Sequence, residues 1–393
     1  MANSNLSAAK TAKQDEFYTQ WPDVEREMNA YLEFNPDVLR GKTVLLPCDD
    51  PEWSNFTKFF ALHFANFGLK KLISTSYAPN SNAGALFYTP TLFETEDSAY
   101  DPDKSLERGR VFTLTREDVS ADGRIDIDDL RWEYLDGDGD FRSAEVTALR
   151  DEADMVVTNP PFSLFRPFLA WLVEGDVQFS IIGNISAATY MESFTLIQHN
   201  KMWKGATANN TDMVFEVPQG VKIAESDRLK AERMGYSGNF TRLGNACWYT
   251  NIEHGRRHEP LQLMTMADNI KFSRYKEVRG AGYSSYDNYD AIEVGFVAAI
   301  PSDFPGVMGV PISFLDSYDP DQFEILGRSH NLVWAESDEC DFFTPPSEEE
   351  QAKHRKHDRT WRVQICYKLD EQGRAKCVYQ RIFIRHRNLG QEG

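Results

Sequence analysis

The chain has 393 residues, of which 41% are hydrophobic and 13% aromatic, enough for one large domain with an appendage or for two domains. This composition argues against a largely disordered protein. The sequence contains no apolar run of about 18 residues, so no membrane span is predicted. The net charge of −19 argues against general binding of polyanions, because phosphate contacts need lysine and arginine. Five dispersed cysteines indicate reduced thiols and a cytoplasmic location.

The first quarter of the chain predicts a helix, a strand, a second helix and a second strand. Residues 1–14 contain no apolar block, so we expect a flexible N-terminus and not a signal peptide. Apolar residues at helical spacing predict a helix over residues 23–34. A short apolar run predicts a buried strand at residues 43–46. An aromatic helix over residues 56–67 and a strand at residues 71–75 follow.

The next elements continue this alternation. They are a polar insertion, the two strands of a local hairpin, a strand, an aromatic helix and a further strand, at residues 80–109, 111–114, 131–135, 155–158, 164–173 and 179–183. Alternating apolar strands and helices predict an α/β fold with a mostly parallel sheet covered on both faces. Ligands bind such sheets outside the carboxyl ends of the strands. We therefore expect loops 47–51 and 159–162, which directly follow strands, to form one site.

The pattern weakens beyond about residue 198, where short strands such as residues 247–250 and Gly-rich turns replace the alternation. Two strands at residues 363–369 and 377–384 predict a hairpin near the C-terminus. Residues 353–387 hold 11 Lys and Arg against 3 Asp and Glu, a local charge of +8. A basic surface of this kind can dock on a DNA backbone, with candidate contacts from Arg381, Arg385 and Arg387. A soluble basic hairpin without a partner is the alternative.

The motif Asn159-Pro160-Pro161-Phe162 has the chemistry of a site that methylates an exocyclic amine. The amine lone pair is delocalised into the ring, and two acceptors aimed at its N–H groups stabilise the positive charge that develops during transfer. The Asn159 side-chain oxygen and the Pro160 carbonyl can be these acceptors, and consecutive prolines make the loop stiff. Phe162 offers a flat face to a base outside the duplex. The alternative is a plain turn after a strand.

Two further loops have side chains suited to the methyl donor. The loop after the first strand can accept a hydrogen bond from the amino group of the donor's methionine moiety, through Cys48, Asp49, Asp50 and Pro51. In residues 137–142, Asp140 can accept from the donor's adenine amine while Phe141 packs on that ring. The alternatives are a solvated acidic loop and a calcium-type or plain turn. Calcium is disfavoured because the terminal Glu and the flanking helices are missing, and no metal is expected.

Together these stretches resemble the EcoRI-type adenine-specific DNA methyltransferases. The similar blocks occur in the same order along the chain, at residues 15–20, 48–51, 54–56, 68–73, 137–143, 156–166, 286–292 and 306–312. The resemblance covers residues 15–323, most of the chain, and several ordered blocks are far more specific than a tetrapeptide. It does not cover residues 324–393, which include the basic hairpin.

The resemblance implies a Rossmann-like class I methyltransferase sheet with a less regular C-terminal target-recognition region. Residues 15–200 would be the catalytic domain, which binds S-adenosylmethionine. Residues 201–393 would recognise and bind DNA, with part of the core sheet returning near residues 247–252. The implied activity is site-specific methylation of the N6 amino group of a flipped adenine in duplex DNA. A restriction endonuclease acting on the same site without direct contact, and the cytoplasm of a bacterium as the location, also follow from it.

The resemblance also implies roles for individual residues. The cofactor would be held by Tyr18, Thr19, Cys48, Asp49, Asp50, Pro51, Asp140, Phe141 and Asn159. The flipped base would be held by Asn159, Pro160, Pro161 and Phe162, with Trp248 or Tyr249 as a second stacking partner or else as a core aromatic. One departure is the absence of an acidic residue after strand 71–75, where Ser74, Thr75 and Ser76 stand. Another is the absence of a glycine-rich fingerprint after strand 43–46.

Three other functions share part of this pattern. An N4-cytosine DNA methyltransferase, an RNA methyltransferase and a protein-glutamine methyltransferase would all present a planar amine or amide to the same loop. A non-enzymatic alternative is an acidic DNA-associated or DNA-mimicking protein with a decayed methyltransferase core. The intact Asn159, Pro160 and Phe162 argue against decay.

Overall fold

The computed structural model describes ten segments of the chain, residues 18–50, 54–78, 100–119, 132–207, 213–217, 223–286, 289–329, 367–369, 375–377 and 380–389. The chain divides into two compact units, Met1–Gly255 and Arg256–Gly393. Residues 1–14, Pro51, residues 80–99 and residues 353–366, about which the sequence makes predictions, lie outside the described segments. Within those segments, no helix has both the length and the apolar character to cross a membrane.

The first unit is built on a mixed sheet of eight strands. The unit also contains a smaller sheet. In chain order, the strands of the two sheets are β1 (Tyr18–Thr19), β2 (Thr43–Leu46), β3 (Lys71–Ser76), β4 (Arg110–Thr115), β5 (Trp132–Tyr134), β6 (Met155–Thr158), β7 (Gln178–Asn184), β8 (Trp203–Lys204), β9 (Met213–Glu216), β10 (Phe240–Leu243) and β11 (Ala246–Thr250). The large sheet has the order β5-β4-β3-β2-β6-β7-β11-β8, and β1-β9-β10 form the small one. Strands β3, β2, β6 and β7 are parallel, and the outer pairs are antiparallel.

The helices of this unit are α1 (Trp21–Phe34), α2 (Asn55–Leu62), α3 (Phe64–Phe67), α4 (Ala144–Glu152), α5 (Phe165–Glu174), α6 (Met191–Gln198) and α7 (Glu225–Arg233). The predicted helix 56–67 is divided at His63 into α2 and α3. Ser54 begins α2 by accepting a hydrogen bond from the Phe56 N–H, and Gly68 ends α3 in the left-handed region at φ 64°. Aromatic side chains of α2 and α3 pack against the apolar strands β2, β3 and β6.

The predicted elements of the first unit are confirmed, and the predicted parallel sheet is confirmed only at its centre. The strands predicted as a local hairpin, β4 and β5, pair antiparallel as expected, and through β3 they also belong to the large sheet. The sequence predicts a catalytic domain up to residue 200 with part of the core sheet returning near residues 247–252, and the compact units divide after Gly255. The physical reason is that β11 pairs with β7 and β8, which keeps residues up to 250 in the sheet of the first unit.

The second unit has shorter and less regular elements. After α8 (Met266–Phe272) come β12 (Ser284–Ser285), β13 (Ile292–Glu293), β14 (Met308–Pro311), β15 (Phe323–Arg328), β16 (Tyr367–Leu369), β17 (Ala375–Cys377) and β18 (Arg381–His386). Five of them form a sheet with the order β12-β13-β14-β18-β15. Within the predicted C-terminal hairpin, β16 and β17 pair antiparallel. Residues 381–384 of the second predicted strand lie in β18, which pairs with β14 and β15.

Candidate active site

Loops from three strands leave the same edge of the large sheet. The register aligns Leu45 of β2 with Val156 of β6, and Thr158 of β6 with Ile181 of β7. The chain order reverses between β2 and β6, because β3 lies on one side of β2 and β6 on the other. This is the topological switch point at which ligands bind open α/β sheets. The predicted loops after β2 and β6 are therefore brought together.

Asp49 connects these two loops. Its carboxylate accepts hydrogen bonds from Ser54 Oγ at 2.6 Å and from Thr158 Oγ1, also at 2.6 Å. Ser74 Oγ donates to the Asp49 carbonyl oxygen, and the Asp49 N–H donates to Thr75 O at 3.0 Å. Asp49 is buried, so its carboxylate fixes the end of β2 to the end of β6. Both carboxylate oxygens of Asp49 accept these internal hydrogen bonds, and the cofactor role of the loop stays a prediction.

Burial sets the ionisation of this group. Desolvation and, to a smaller extent, the neighbouring Asp50 raise the pKa of Asp49 to about 7, against the lowering effect of the hydrogen bonds from Ser54 and Thr158. A carboxyl group with this pKa changes its charge near neutral pH. We therefore expect the charge at the contact between the two loops to change with pH.

Tyr18 and Thr19 lie beside the loop that follows β2. They form β1, which pairs with β9, and the Thr19 carbonyl accepts a hydrogen bond from Asn55 Nδ2 at 2.9 Å. Asn55 is the first residue of α2, so β1 lies at the helix end next to Asp49 and Ser54. Thr19 is buried, and its Oγ1 has no hydrogen-bond partner among the described residues. A buried hydroxyl of this kind fits a polar ligand. Cys48 and Asp50 are partly exposed in the same loop.

The loop at residues 137–141 lies against the end of β3. The Ala78 N–H donates to the Asp138 carbonyl at 2.7 Å, and Gly139 has a φ of 82°. A Cβ on Gly139 would stand 2.1 Å from Ser76 O, so only glycine allows this approach. The loop thus brings acidic side chains to the strand end where the sequence has only Ser74, Thr75 and Ser76.

The predicted pair Asp140 and Phe141 is only partly suited to a ligand. Asp140 accepts from the Arg142 N–H at 2.8 Å and from its guanidinium, and the hydrogen bond from Arg142 holds the Asp140 pKa below its ordinary value. The Phe141 ring is 4% exposed and packs edge-on against Phe168 and Trp171. Little of this ring is open to a ligand, because it belongs to the core between the loop and α5.

The motif at residues 159–162 extends directly from buried β6. Asn159 and Phe162 are half-buried, Pro160 is buried, and the Leu164 N–H donates to the Pro161 carbonyl at 2.8 Å to form a short turn before α5. Phe162 packs partly against the core cluster of β2 and β6. Because Thr158 also binds Asp49, the position of the motif is coupled to the loop after β2.

Trp248 and Tyr249 do not belong to the surface of this site. They lie in β11 and are 1% and 0% exposed. The Tyr249 hydroxyl donates to backbone carbonyls at the end of β7 and accepts from the Ala188 N–H, while Trp248 packs edge-on against Phe56. Neither ring can stack on a base without leaving the core, so the prediction of a second stacking partner is replaced by the core alternative.

Glu27 is a functional candidate that the sequence motifs do not include. It is completely buried in α1, and its carboxylate accepts from the Ala206 and Thr207 N–H groups at 2.8 Å each and from the Thr207 hydroxyl. The Tyr31 hydroxyl donates to it at 2.6 Å. Residues 205–207 follow β8. In the register of the sheet, Lys204 of β8 is paired with Tyr249, Tyr249 with Ile181, and Ile181 with Thr158, so the end of β8 lies at the same edge as the end of β6. Glu27 thus holds a third loop at the same edge of the sheet.

The signals for the missed residues are present in the sequence. Glu27 is followed by Tyr31 one helical turn later, on the apolar face of α1, and this spacing indicates a buried polar pair. Ser54 directly before a run of aromatic helix residues is a typical N-cap. Neither signal reveals which distant backbone or side chain is the partner, because those contacts join residues far apart in the chain.

The three arginines predicted to contact a DNA backbone belong to the second unit and have internal partners. Arg381 is buried, and its guanidinium binds the Glu293 carboxylate. This corrects its predicted role, because its charge is neutralised inside the fold. Arg385 and Arg387 are exposed; Arg385 pairs with Glu324 at 2.9 Å, and Arg387 Nε donates to the Pro320 carbonyl at 2.6 Å.

Comparisons with known proteins agree on one family. A family model described as adenine-specific methyltransferase EcoRI matches residues 5–387. The Type II methyltransferase M.EcoRI of Escherichia coli is 38% identical over 325 residues, which cover 82% of this chain and 89% of that protein. The Type II methyltransferase M.MpnI of Mycoplasma pneumoniae is 33% identical over 321 residues, 82% of this chain and 84% of that protein. A third Type II methyltransferase, from Mycoplasma genitalium, is 32% identical over 323 residues. No solved structure matches the chain.

Proposed function

The chain belongs to the EcoRI family of adenine-specific methyltransferases, and from this premise we propose that it methylates the N6 amino group of adenine at a specific site in duplex DNA. The observation that carries the proposal is the family match over residues 5–387, which includes the complete Asn159-Pro160-Pro161-Phe162 loop at the switch point of the sheet. The Type II methyltransferases among its relatives support a role in restriction-modification, with an endonuclease acting separately on the same site, in the bacterial cytoplasm.

The proposed methyl donor is S-adenosylmethionine, which supplies an electrophilic methyl group on a sulfonium. The residues at the sheet edge fit its polar groups. Thr19 contributes a buried hydroxyl, and Asp50 contributes a carboxylate for the amino group of the methionine moiety. We assign the ribose hydroxyls to Asp138, which the glycine-dependent turn brings to the end of β3. The backbones of Gly109 and Gly139 both pack closely against the Ser76 carbonyl, so neither position has room for a side chain.

The chemistry of the transfer falls to the loop after β6. The Asn159 side-chain oxygen and the Pro160 carbonyl accept hydrogen bonds from the adenine amine and stabilise the positive charge that develops on nitrogen. The two prolines preset the direction of the acceptors, since each has a fixed φ and no N–H. Phe162 stacks on the flipped base. Asp49 and Thr158 keep the acceptors and the cofactor loop in register.

The central parallel strands and the switch point between β2 and β6 also support a Rossmann-like class I methyltransferase sheet. In this proposal the first unit carries the cofactor and the chemistry, and the second unit carries target recognition. Gly255 rather than residue 200 then separates the two functions.

A direct test is to incubate the purified chain with unmethylated duplex DNA and S-adenosylmethionine that carries a deuterated methyl group. The DNA is digested to nucleosides and measured by mass spectrometry. We expect deuterated N6-methyldeoxyadenosine as the product. N4-methylcytosine without N6-methyladenine, or transfer to RNA or protein but not to DNA, would contradict the proposal.

A further inference from the structure

A compact basic segment in the second unit has no place in the chemistry described above. It begins at the end of α8 and continues through a tight turn to Gly282. The turn is closed by backbone hydrogen bonds, from the Arg279 N–H to Tyr275 O at 2.9 Å and from the Gly280 N–H to Ile270 O at 2.8 Å. The Ser273 hydroxyl also accepts from the Tyr275 N–H at 3.2 Å. These bonds give the segment a defined shape.

Three side chains fasten the segment to the rest of the second unit. Ser273 and Val278 are buried. The ring of Tyr275 lies parallel to that of Phe296, with centroids 3.7 Å apart and planes 5° apart. Because anchors alternate with exposed positions, the intervening side chains are held on the outside of a supported turn.

The exposed positions between these anchors are cationic. Lys271, Arg274, Lys276 and Arg279, which we call the basic strip, are all exposed. Residues 271–279 include one carboxylate, so the strip has a local charge of +3 in a chain of net charge −19. None of the four forms an ion pair with a carboxylate within the described segments.

Some other surface cations of the chain are held in ion pairs and give a comparison for the strip. Four cations of the first unit are each paired, with distances of 2.5 Å for Arg40–Asp37, 3.0 Å for Lys104–Asp101, 3.5 Å for Arg228–Glu225 and 3.5 Å for Lys230–Asp227. Carboxylates outnumber cations by 61 to 42 along the chain. In so acidic a protein, four neighbouring cations that form no ion pair within the described segments create a local positive electrostatic potential. Such a potential attracts a polyanion.

Aromatic rings accompany these charges. Phe272 is 61% exposed, and Lys271 Nζ lies 4.8 Å from the centre of its ring. The Arg274 guanidinium lies 4.9 Å from the Tyr275 ring and donates to the Tyr275 hydroxyl at 2.6 Å. These contacts orient the two side chains without neutralising their charge. The arrangement suits a partner that presents rows of anionic oxygens, as phosphates do.

We propose that the basic strip is a contact surface for the phosphate backbone of duplex DNA. The inference rests on the proposed function for the identity of the polyanion. It assigns to Lys271, Arg274, Lys276 and Arg279 the salt-dependent part of the affinity, which does not distinguish sequences. It also explains how an acidic chain holds DNA when Arg381 is committed to Glu293.

The test compares two variants of the full chain from which the same charge is removed. The strip variant is K271Q/R274Q/K276Q/R279Q. The control is R40Q/K104Q/R228Q/K230Q, which also removes two lysines and two arginines, all of them surface side chains in ion pairs. Affinity for a duplex is measured by fluorescence anisotropy at several salt concentrations, and circular dichroism verifies that each variant is folded.

For the strip variant we expect the slope of log affinity against log salt to become less steep by about 0.9 for each phosphate that the variant no longer neutralises. Affinity at low salt should fall at least about tenfold, with unchanged binding of S-adenosylmethionine. The control should keep the wild-type slope. Equal reductions in both variants, an unchanged slope in the strip variant, or displacement of DNA by polyglutamate at equal charge would overturn the proposal.

Single variants keep the test decisive if the quadruple variant does not fold. K276Q and R279Q should each reduce the slope by up to about 0.9, and unchanged slopes in both would overturn the proposal. The outcome is separable from that of the proposed function. If the wild-type chain methylates adenine and the strip variant keeps the wild-type salt slope, only the proposal for the basic strip is contradicted. A chain that binds DNA through the strip without methylating adenine contradicts the proposed function alone.

Discussion

Two groups of charged side chains, the buried carboxylates of the first unit and the exposed basic strip of the second, are arranged in opposite ways. In the first unit, Asp49 and Glu27 are buried, and donors from distant parts of the chain surround each carboxylate. In the second unit, the cations of the basic strip are exposed on a supported turn without carboxylate partners. The buried carboxylates fix the positions of the loops that they bind, and the exposed cations create a positive electrostatic potential at the surface. We infer that catalysis requires the former and DNA binding the latter.

This contrast has a measurable consequence. Hydrogen bonds buried in a region of low dielectric are only weakly screened, whereas contacts between exposed cations and phosphates weaken steeply with salt. Variants in the buried network of the first unit should therefore change turnover or stability at any ionic strength. Variants in the basic strip should change mainly the salt-dependent affinity for DNA. The following predictions, from the largest expected effect to the smallest, can break or sharpen this division.

Asn159→Ala should have the largest effect, because it removes the acceptor that we propose to stabilise the transition state. Loss of one such hydrogen-bonding group lowers kcat by about 10²–10³-fold. Cofactor binding, measured by calorimetry, should fall much less than kcat, even though the family resemblance also places Asn159 among the residues that hold the cofactor. Asn159→Asp retains an acceptor oxygen and should be more active than the alanine variant. Full activity of Asn159→Ala would contradict the proposed role of the side chain.

Glu27→Ala should destabilise the first unit by about 3 kcal/mol, because it leaves buried donors at Tyr31, Ala206 and Thr207 without their acceptor. Urea unfolding measures the change. Glu25→Ala, on the exposed face of the same helix, is the matched control and should stay within about 0.5 kcal/mol of wild type. Equal stability of the two variants would show that the carboxylate does not hold the loop after β8.

Thr158→Val keeps the volume of the side chain and removes the hydroxyl that donates to Asp49. We expect a decrease of about 1–3 kcal/mol in unfolding free energy, and a fall in kcat at unchanged affinity for DNA. Thr113→Val, at an exposed position in β4, serves as the control. A Thr158→Val variant with wild-type kcat would contradict the coupling between the loops after β2 and β6.

Asp49→Asn should change how stability depends on pH. Burial raises the pKa of Asp49 to about 7 in the folded chain, so the folded state binds a proton that the unfolded state releases near its ordinary pKa of 3.8. This contribution to stability is present at low pH and is lost as pH rises through about 7. Between about pH 6 and about pH 8, wild type should lose about 1 kcal/mol relative to Asp49→Asn.

Unfolding titrations at several pH values measure that difference. Asp37→Asn, at a largely exposed surface position, should show no comparable change and controls for the general effect of removing a carboxylate. A constant difference between wild type and Asp49→Asn across this range would mean that the Asp49 carboxyl does not titrate there.

The sequence predicts local structure well where one short pattern determines it. Strand β6 and the turn before α5 follow from apolar residues, two prolines and an aromatic helix, so the position of Asn159 and Phe162 at a strand end can be predicted. The return of β11 to the sheet is expected from the family resemblance but not from local pattern, because its partners β7 and β8 lie more than one element away. That long-range pairing moves the unit boundary to Gly255.

The functions of individual side chains are harder to predict than their positions. An acidic loop after β2 is visible in the sequence, but the sequence does not show that Asp49 binds Thr158, 109 residues later. Likewise a basic C-terminal stretch is visible, but not that Arg381 is paired with Glu293. Composition counts charges, whereas only tertiary contacts show which charges are neutralised. The basic strip is recognised by that difference.

The most direct test of the central claim is single-molecule sequencing of DNA from a methylation-deficient bacterium that expresses either the wild-type chain or Asn159→Ala. The method reports the modified base and its sequence context together. We predict N6-methyladenine at one recurring sequence in cells with the wild-type chain and none above background with Asn159→Ala. Methylated cytosine in place of adenine, or undiminished adenine methylation with Asn159→Ala, would contradict the assignment of this chain as an adenine methyltransferase that acts through Asn159.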